Sequence, residues 1–195
     1  RDRLRSRGLG DVYKRQQQDE LCRILDRLKE VNINTVLLQT RVRGSVIYPS
    51  AIEPWDGCLT GTPGRAPGYD PLAFAVRECH KRGMELHAWL VAIPCFKISA
   101  ATRMGNRSVL KTHPKLCVRH GDSWYLDPGQ PETADYLASL CREIAANYDV
   151  DGIHFDYIRY PENAAKFNDA SSYRKYGKRQ NKADWRRDNM TRCVR

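Results

Sequence analysis

Hydrophobic and polar positions follow two periods along the chain, one typical of helices and one typical of strands. From Asp19 to Val31, apolar residues recur three and four positions apart, as on one face of an amphipathic helix. The same period predicts three further helices, at 70–82, 131–148 and 184–195. Short apolar or alternating runs predict strands at 35–40, 84–93 and 150–156.

Helices and strands therefore alternate, and the segments that follow the first two strands, 41–69 and 94–130, are long. Long loops after strands are typical of a (β/α)8 barrel, which keeps its active site there. A doubly wound sheet has the same alternation, but the chain lacks a dinucleotide-binding glycine fingerprint. Three strands cannot close a barrel of eight. The sequence thus predicts an α/β fold that is a fragment of a (β/α)8 TIM-type barrel, with the first and later strands missing.

Net charge is concentrated at the two ends of the chain. Of the formal +10, residues 1–15 contribute +4 and residues 174–195 contribute +7, so the remainder carries −1. A nucleic-acid groove needs positive charge across a folded face, so this distribution argues against nucleic-acid binding. Residues 1–18 show no period that joins them to the helix predicted from Asp19. They are interpreted as a foreign or disordered arm, and 19–195 as the partial barrel.

The segment from Asp151 to Pro161, DGIHFDYIRYP, contains the best candidate for chemistry. On a strand period of two, Gly152, His154 and Asp156 share one face. Ile153, Phe155 and Tyr157 share the other. In a barrel the apolar face packs on the outer helices. The His and Asp face then points inward, close to the catalytic mouth.

Several ordered strings carry a family resemblance: RVRGSVIYPSAIEPW, LTGTPG, PGYDPLAFAV, ELHAW, WYLDPG, NYDVDGIHFDYIRYP and DWRRDN. Over about residues 19–195 the chain resembles the glycosyl-hydrolase-like family ten, a set of bacterial cell-envelope proteins. The resemblance implies a (β/α)8 barrel that acts on glycans in an exported protein. At least one member type is a glycosidase for peptidoglycan strands stripped of their peptides. Members often carry Asn-Pro-x-Arg after the HAW strand, whereas this chain reads LVAIPCF from Leu90 to Phe96.

Glycosidases usually need two carboxyl groups across the scissile bond. Asp156 is predicted to be the nucleophile or the electrostatic stabiliser, with capping of the next turn as the structural alternative. Arg41 would either pair with Asp156 or form a structural ion pair. The general acid would be Glu53 or a residue on a missing strand. Substrate-binding candidates are Arg41, Arg43, His87, Trp89, His154, Tyr157 and Arg159, with Trp55 as a further stacking surface. For the histidines the structural alternative is a hydrogen-bonded interior imidazole, and for the aromatic residues it is packing in the core.

Other ligand classes receive little support from the sequence. Seven cysteines lie without CxxC or His/Cys clustering, so no metal site and no cofactor are predicted. Asp127 is interpreted as an Asx-turn residue and Asp151 as structural. The partner is a glycan; no membrane span is predicted, and nothing indicates an oligomeric state. A non-catalytic glycan-binding barrel remains the alternative to a hydrolase.

Overall fold

The computed structural model describes residues 2–195, with side chains from residue 14 onward, and is built around a parallel sheet. The sheet has the strand order β1-β2-β6, with β1 at Thr35–Arg41, β2 at Glu85–Val91 and β6 at Gly152–Asp156. The longer helices are α1 (Asp2–Glu30), α2 (Pro71–His80), α4 (Glu132–Asn147) and α6 (Lys182–Val194). This order agrees with the predicted alternation, because each strand is preceded by one of these helices.

Local sequence explains the ends of α2. The carboxylate of Asp70 accepts a hydrogen bond from the backbone N–H of Ala73 at 3.0 Å, and Pro71 is the first helical residue. An Asp cap followed by Pro suits a helix start because Pro lacks the N–H that would otherwise need a partner. Beyond the helix, Gly83 adopts a φ of +65°, which favours glycine. The predicted start of this helix is confirmed, and the helix ends at His80, two residues before the predicted end.

The two faces of the parallel sheet differ in what covers them. Leu86, Ala88 and Leu90 of β2 are fully buried, in one core with residues of α2 and α4. His87 and Trp89 alternate with them and are only partly buried. Apolar contacts with helices on one face and polar, accessible side chains on the other are the arrangement of a (β/α)8 barrel segment. We call the accessible face the inner face.

The segment predicted as a long loop from 94 to 130 contains a second sheet. It is antiparallel, with β3 (Pro94–Lys97), β5 (Ser123–Leu126) and β4 (Cys117–His120) in that order. A short helix, α3 (Val109–Thr112), lies between β3 and β4. The predicted loop at 162–181 likewise contains α5 (Ala170–Tyr176). Both loop predictions were wrong in these parts.

Residues close to both basic ends of the chain contact other elements of the fold. Helix α1 runs through the predicted boundary at residue 18, and Gln17 donates to the carbonyl of Leu59 at 2.9 Å. At the other end, Trp185 of α6 is 4% exposed, and Arg186 pairs with the buried Asp169 at 2.7 Å. The separate arm at 1–18 stays a prediction, although its described residues are helical. None of the helices in the described part of the chain is long and apolar enough to cross a membrane.

Candidate active site at the carboxyl ends of the parallel strands

Asp156 is the last residue of β6 and lies opposite Val91 of β2. Its Oδ1 accepts a hydrogen bond from the N–H of Tyr157, the next residue, at 2.7 Å. An Asp that caps a turn accepts from an N–H two or three residues further on, so this contact differs from the capping alternative. The half-buried carboxylate is therefore held at the strand end, on the same side of the strand as His154.

The inner face brings together three of the predicted binding residues. Trp89 pairs in register with His154, and their rings meet edge to face at 6.3 Å. His87 lies on the same face of β2, two residues before Trp89, and is opposite Gly152 of β6. A Cβ on Gly152 would lie 2.6 Å from Nδ1 of His87, so the imidazole packs directly over the glycine. The parity that the sequence predicted for these side chains is confirmed.

Arg41 does not take the predicted place beside Asp156. Its guanidinium is fully buried and donates to both oxygens of Glu53, at 2.8 and 2.7 Å. It also donates to the carbonyls of Val91 and Ala92. An irregular register between Gln39 and Arg41 breaks the period of two on which the prediction rested. The structural alternative for Arg41 is the correct one.

The buried ion pair between Arg41 and Glu53 keeps the Arg41 guanidinium charged. Burial alone would lower the pKa of Arg41, but the charge and hydrogen bonds of Glu53 outweigh it and raise that pKa. Tyr136 of α4 donates a third hydrogen bond to Glu53, at 2.8 Å, and burial raises the pKa of its phenol. Glu53 is 1% exposed and is engaged by both neighbours. It is thus a structural carboxylate, and these contacts argue against its predicted role as the general acid.

Two other aspartates have the structural roles expected of them. Asp127 is 1% exposed, and its Oδ1 accepts from the N–H of Gly129 at 2.8 Å, as in an Asx turn. Its second oxygen accepts from the hydroxyl of Ser172. Asp151, just before β6, accepts from the N–H of Leu86 at 2.7 Å. It therefore lies at the end of the sheet opposite to Asp156.

A groove at the mouth is lined by the remaining candidates, Arg43, Tyr157 and Arg159. The ring of Tyr157 has the guanidinium of Arg43 6.0 Å from its centroid and that of Arg159 at 5.3 Å. The groove encloses about 220 Å³. His120, Tyr125 and Tyr160 complete its aromatic lining. We call it the arginine groove.

The sequence interpretation did not include His120 or Tyr125 among the site residues, because both lie in the segment taken for a loop. A signal was present: Gly121 and Asp122 form a two-residue turn between two short alternating runs. Such Gly-Asp turns join the strands of a hairpin. His120 and Ser123 indeed pair across this turn, and the hairpin presents His120 and Tyr125 to the arginine groove.

Two further expectations concern Trp55 and metals. Trp55 lines a separate cleft of about 400 Å³ with Met104 and Arg107 rather than the arginine groove. Within residues 14–195, three or more His, Cys, Asp or Glu side chains do not come together in a way that could hold a metal ion. All seven cysteines of the chain are free thiols.

Comparison with known proteins identifies the family of this chain. The family model described as glycosyl hydrolase-like 10 matches residues 7–195. The chain belongs to the glycosyl hydrolase-like 10 family. Relatives include the glycosyl hydrolase DigH of Escherichia coli K12, 40% identical over 92% of this chain and 44% of that protein. The glycosyl hydrolase YngK of Bacillus subtilis is 35% identical over 93% of this chain and 36% of that protein.

The fold of this glycosyl hydrolase-like 10 chain also matches solved structures. Alpha-L-fucosidase isoenzyme 2 of Paenibacillus thiaminolyticus aligns with a TM-score of 0.56 at 13% identity. The alignment covers 90% of this chain and 25% of the fucosidase. The prediction of a partial (β/α)8 barrel in this family is therefore confirmed. The chain spans less than half the length of the curated relatives named above.

Proposed function

We propose that the protein containing this chain hydrolyses O-glycosidic bonds of a bacterial envelope polysaccharide, with peptidoglycan glycan strands as the first substrate to test. The observation that supports this most is the position of Asp156. It ends a parallel strand at the barrel mouth, on the side that carries His154 and Trp89. Active sites of (β/α)8 enzymes are built at this end of the strands.

In this proposal Asp156 stabilises the oxocarbenium-like transition state, either as a nucleophile or by its charge. The imidazoles of His87 and His154 offer hydrogen bonds to sugar hydroxyls from the inner face. The indole of Trp89 offers an apolar surface for a sugar ring. Because Arg41 binds both carboxylate oxygens of Glu53, Glu53 is not available as the general acid. That role is assigned to a carboxyl group on a further strand of the barrel, outside β1, β2 and β6.

The envelope substrate and export from the cytoplasm belong to the proposal together. Both come from the family resemblance, in which members are cell-envelope proteins. If the substrate is an envelope polysaccharide, the protein must be exported to reach it. Fractionation of cells that produce the full-length protein tests this part, and a signal in the cytoplasm alone would contradict it.

A second candidate function is a barrel that binds glycans without cleaving them. It is favoured by one observation: Glu53, the carboxylate that the sequence offered as an acid, is bound in a buried ion pair. Release of new reducing ends from a polysaccharide by the full-length protein would exclude this candidate.

The experiment compares the full-length protein with its Asp156→Asn variant on purified peptidoglycan strands and on other envelope polysaccharides. Loss of the charge at the strand end is expected to lower turnover by about 10²–10³-fold, because transition-state charge loses its stabilisation. Circular dichroism should show an unchanged fold. Unchanged turnover in the variant would refute the role of Asp156, and no cleavage by the wild type would refute hydrolysis.

A further inference from the structure

We propose that the arginine groove is a subsite for a carboxylate on the glycan, so that the protein prefers acidic sugars over neutral ones. The inference rests on the proposed function in taking the ligand to be a glycan. It adds the charge of the sugar unit that occupies the groove and the residues that recognise it. Arg43 and Arg159 would bind the carboxylate, and Tyr157 would support the sugar ring.

The backbone conformation places these side chains together. Arg43 follows β1 and Tyr157 follows β6, two strands that are separated in the sheet by β2. Both residues adopt left-handed backbone conformations, with φ of +52° and +49°. Non-glycine residues in this region are strained, and such strain is found preferentially at binding and catalytic sites. The two strained residues meet at the mouth, where the Arg43 guanidinium lies over the Tyr157 ring.

The charges in the groove leave guanidinium donors available. Within the described part of the chain, no carboxylate lies within ion-pair distance of Arg43. Arg159 approaches Glu162 at 3.6 Å, but the two side chains are 53% and 87% exposed, so the pair is weak and exchangeable. Asp122, the other acid of the groove, pairs with Lys97 at 3.1 Å. The groove therefore offers more unmatched positive than negative charge.

The chemistry of these groups fits a carboxylated sugar. A guanidinium presents its N–H groups in a planar fork that matches the two oxygens of a carboxylate. Tyr157 is 40% exposed, and its phenol ring supplies an apolar face beside the two forks. Since Asp156 directly precedes Tyr157, the charged unit would lie close to the bond that is cleaved. The groove would thus select which sugar is placed next to Asp156.

The test measures binding to two probes of the same sugar sequence, one with charged and one with neutral carboxyl groups. One is a hyaluronan hexasaccharide, which alternates uronic acid and N-acetylglucosamine, and the other is the same oligosaccharide with its carboxyl groups methyl-esterified. Calorimetric titration of the full-length protein is expected to show at least tenfold tighter binding of the acid. Arg43→Gln and Arg159→Gln should each reduce this preference several-fold, and the double variant should abolish it. Higher salt should weaken only the binding of the acid.

Arg142→Gln is the matched control, because Arg142 lies on the outer helix α4, away from the groove, and the substitution removes the same charge. It should leave the preference unchanged. Equal binding of both probes by the wild type, binding of neither, or an acid preference that survives in the double variant would each overturn the subsite. Cleavage of glycans without a preference for acidic ones would overturn the subsite and leave the proposed function intact. Arginine-dependent binding without any cleavage would support the subsite and refute hydrolysis.

Discussion

At the scale of single residues, Glu53 and Asp156 are two carboxylates with opposite roles. Glu53 neutralises the buried Arg41, whereas Asp156 stands half-buried at a strand end. Glu53→Gln is expected to reduce the free energy of unfolding by about 3–5 kcal/mol, because it leaves the Arg41 charge buried without a partner. Asp156→Asn should change it by about 1 kcal/mol or less. Urea denaturation of both variants measures the difference.

Glu132→Gln provides the control for this comparison, since Glu132 is an exposed carboxylate in the first turn of α4. It should behave like the wild type in urea. If Glu53→Gln were as stable as this control, the pair with Arg41 would not be a structural requirement. The assignment of Glu53 as a structural residue would then fail.

Gly152 is a second residue whose role depends on one neighbour. Because an alanine Cβ would lie 2.6 Å from Nδ1 of His87, Gly152→Ala is expected to cost about 1–3 kcal/mol through overpacking. His87→Ala removes the obstacle, so the double variant should be more stable than the sum of the two single effects predicts. Thermal denaturation of the three variants completes the cycle. Strict additivity would show that the imidazole does not need the glycine.

At the scale of elements, Asp151 ties α2 to the sheet. Its Oδ2 lies 2.9 Å from Nε2 of His80 at the end of α2 and accepts from the N–H of Leu86 in β2. The hydrogen bond with His80 and then that from Leu86 lower the pKa of Asp151. The ionised carboxylate therefore stabilises the fold above about pH 4, the usual value for an unfolded Asp, and this stabilisation is lost as pH falls through the lower folded value.

Asp151→Asn should consequently be less stable than the wild type at pH 7, by about 1 kcal/mol. The difference should shrink as pH is lowered below about 4. Asp149→Asn is a matched control, because Asp149 is 97% exposed and lies 4.0 Å from the same imidazole. Denaturation curves between pH 3 and pH 7 check both. A deficit in Asp151→Asn that is constant with pH would contradict the role of the charge.

The sequence interpretation missed the short antiparallel strands but found the longer elements. Helices and parallel strands were found because their periods persist over several turns or several residue pairs. Strands β3, β4 and β5 have four residues each, which is too short for a period of two to stand out. Their pairing depends on contacts between separate segments, and the Gly121-Asp122 turn was the one local signal. For the same reason, His120 and Tyr125 were missing from the predicted site residues.

At the scale of the whole molecule, residues 174–195 contribute +7 to the net charge of +10, and several of their basic side chains are exposed. Four basic residues near the carboxyl end are Arg174, Lys175, Lys178 and Arg179. Their replacement by Gln should remove any retention on immobilised DNA at low salt, because such binding is electrostatic and salt-dependent. Glycan binding should not change. Retention that persists in this variant would revive a nucleic-acid function.

Deletion of residues 174–195 would not test the effect of charge alone, because it would also remove buried contacts. The segment includes Trp185, which is 4% exposed, and Arg186, which neutralises the fully buried Asp169. Its loss would expose apolar surface and leave a charge without a partner. The four substitutions leave α6 and these contacts intact, so they separate the effect of charge from that of folding.

The amino-acid sequence by itself determined the order of helices and strands, the inner face of β2 and β6, and the position of Asp156. All three depend on periods of 3.6 and 2, which are local properties of the chain. Only the tertiary structure decided the partner of Arg41, because a register shift after Gln39 lets its side chain leave the strand period and reach Glu53. Only the tertiary structure likewise revealed the arginine groove. There β1 and β6 bring together Arg43 and Tyr157, which are more than a hundred residues apart in the chain. No local period specifies a contact of that range.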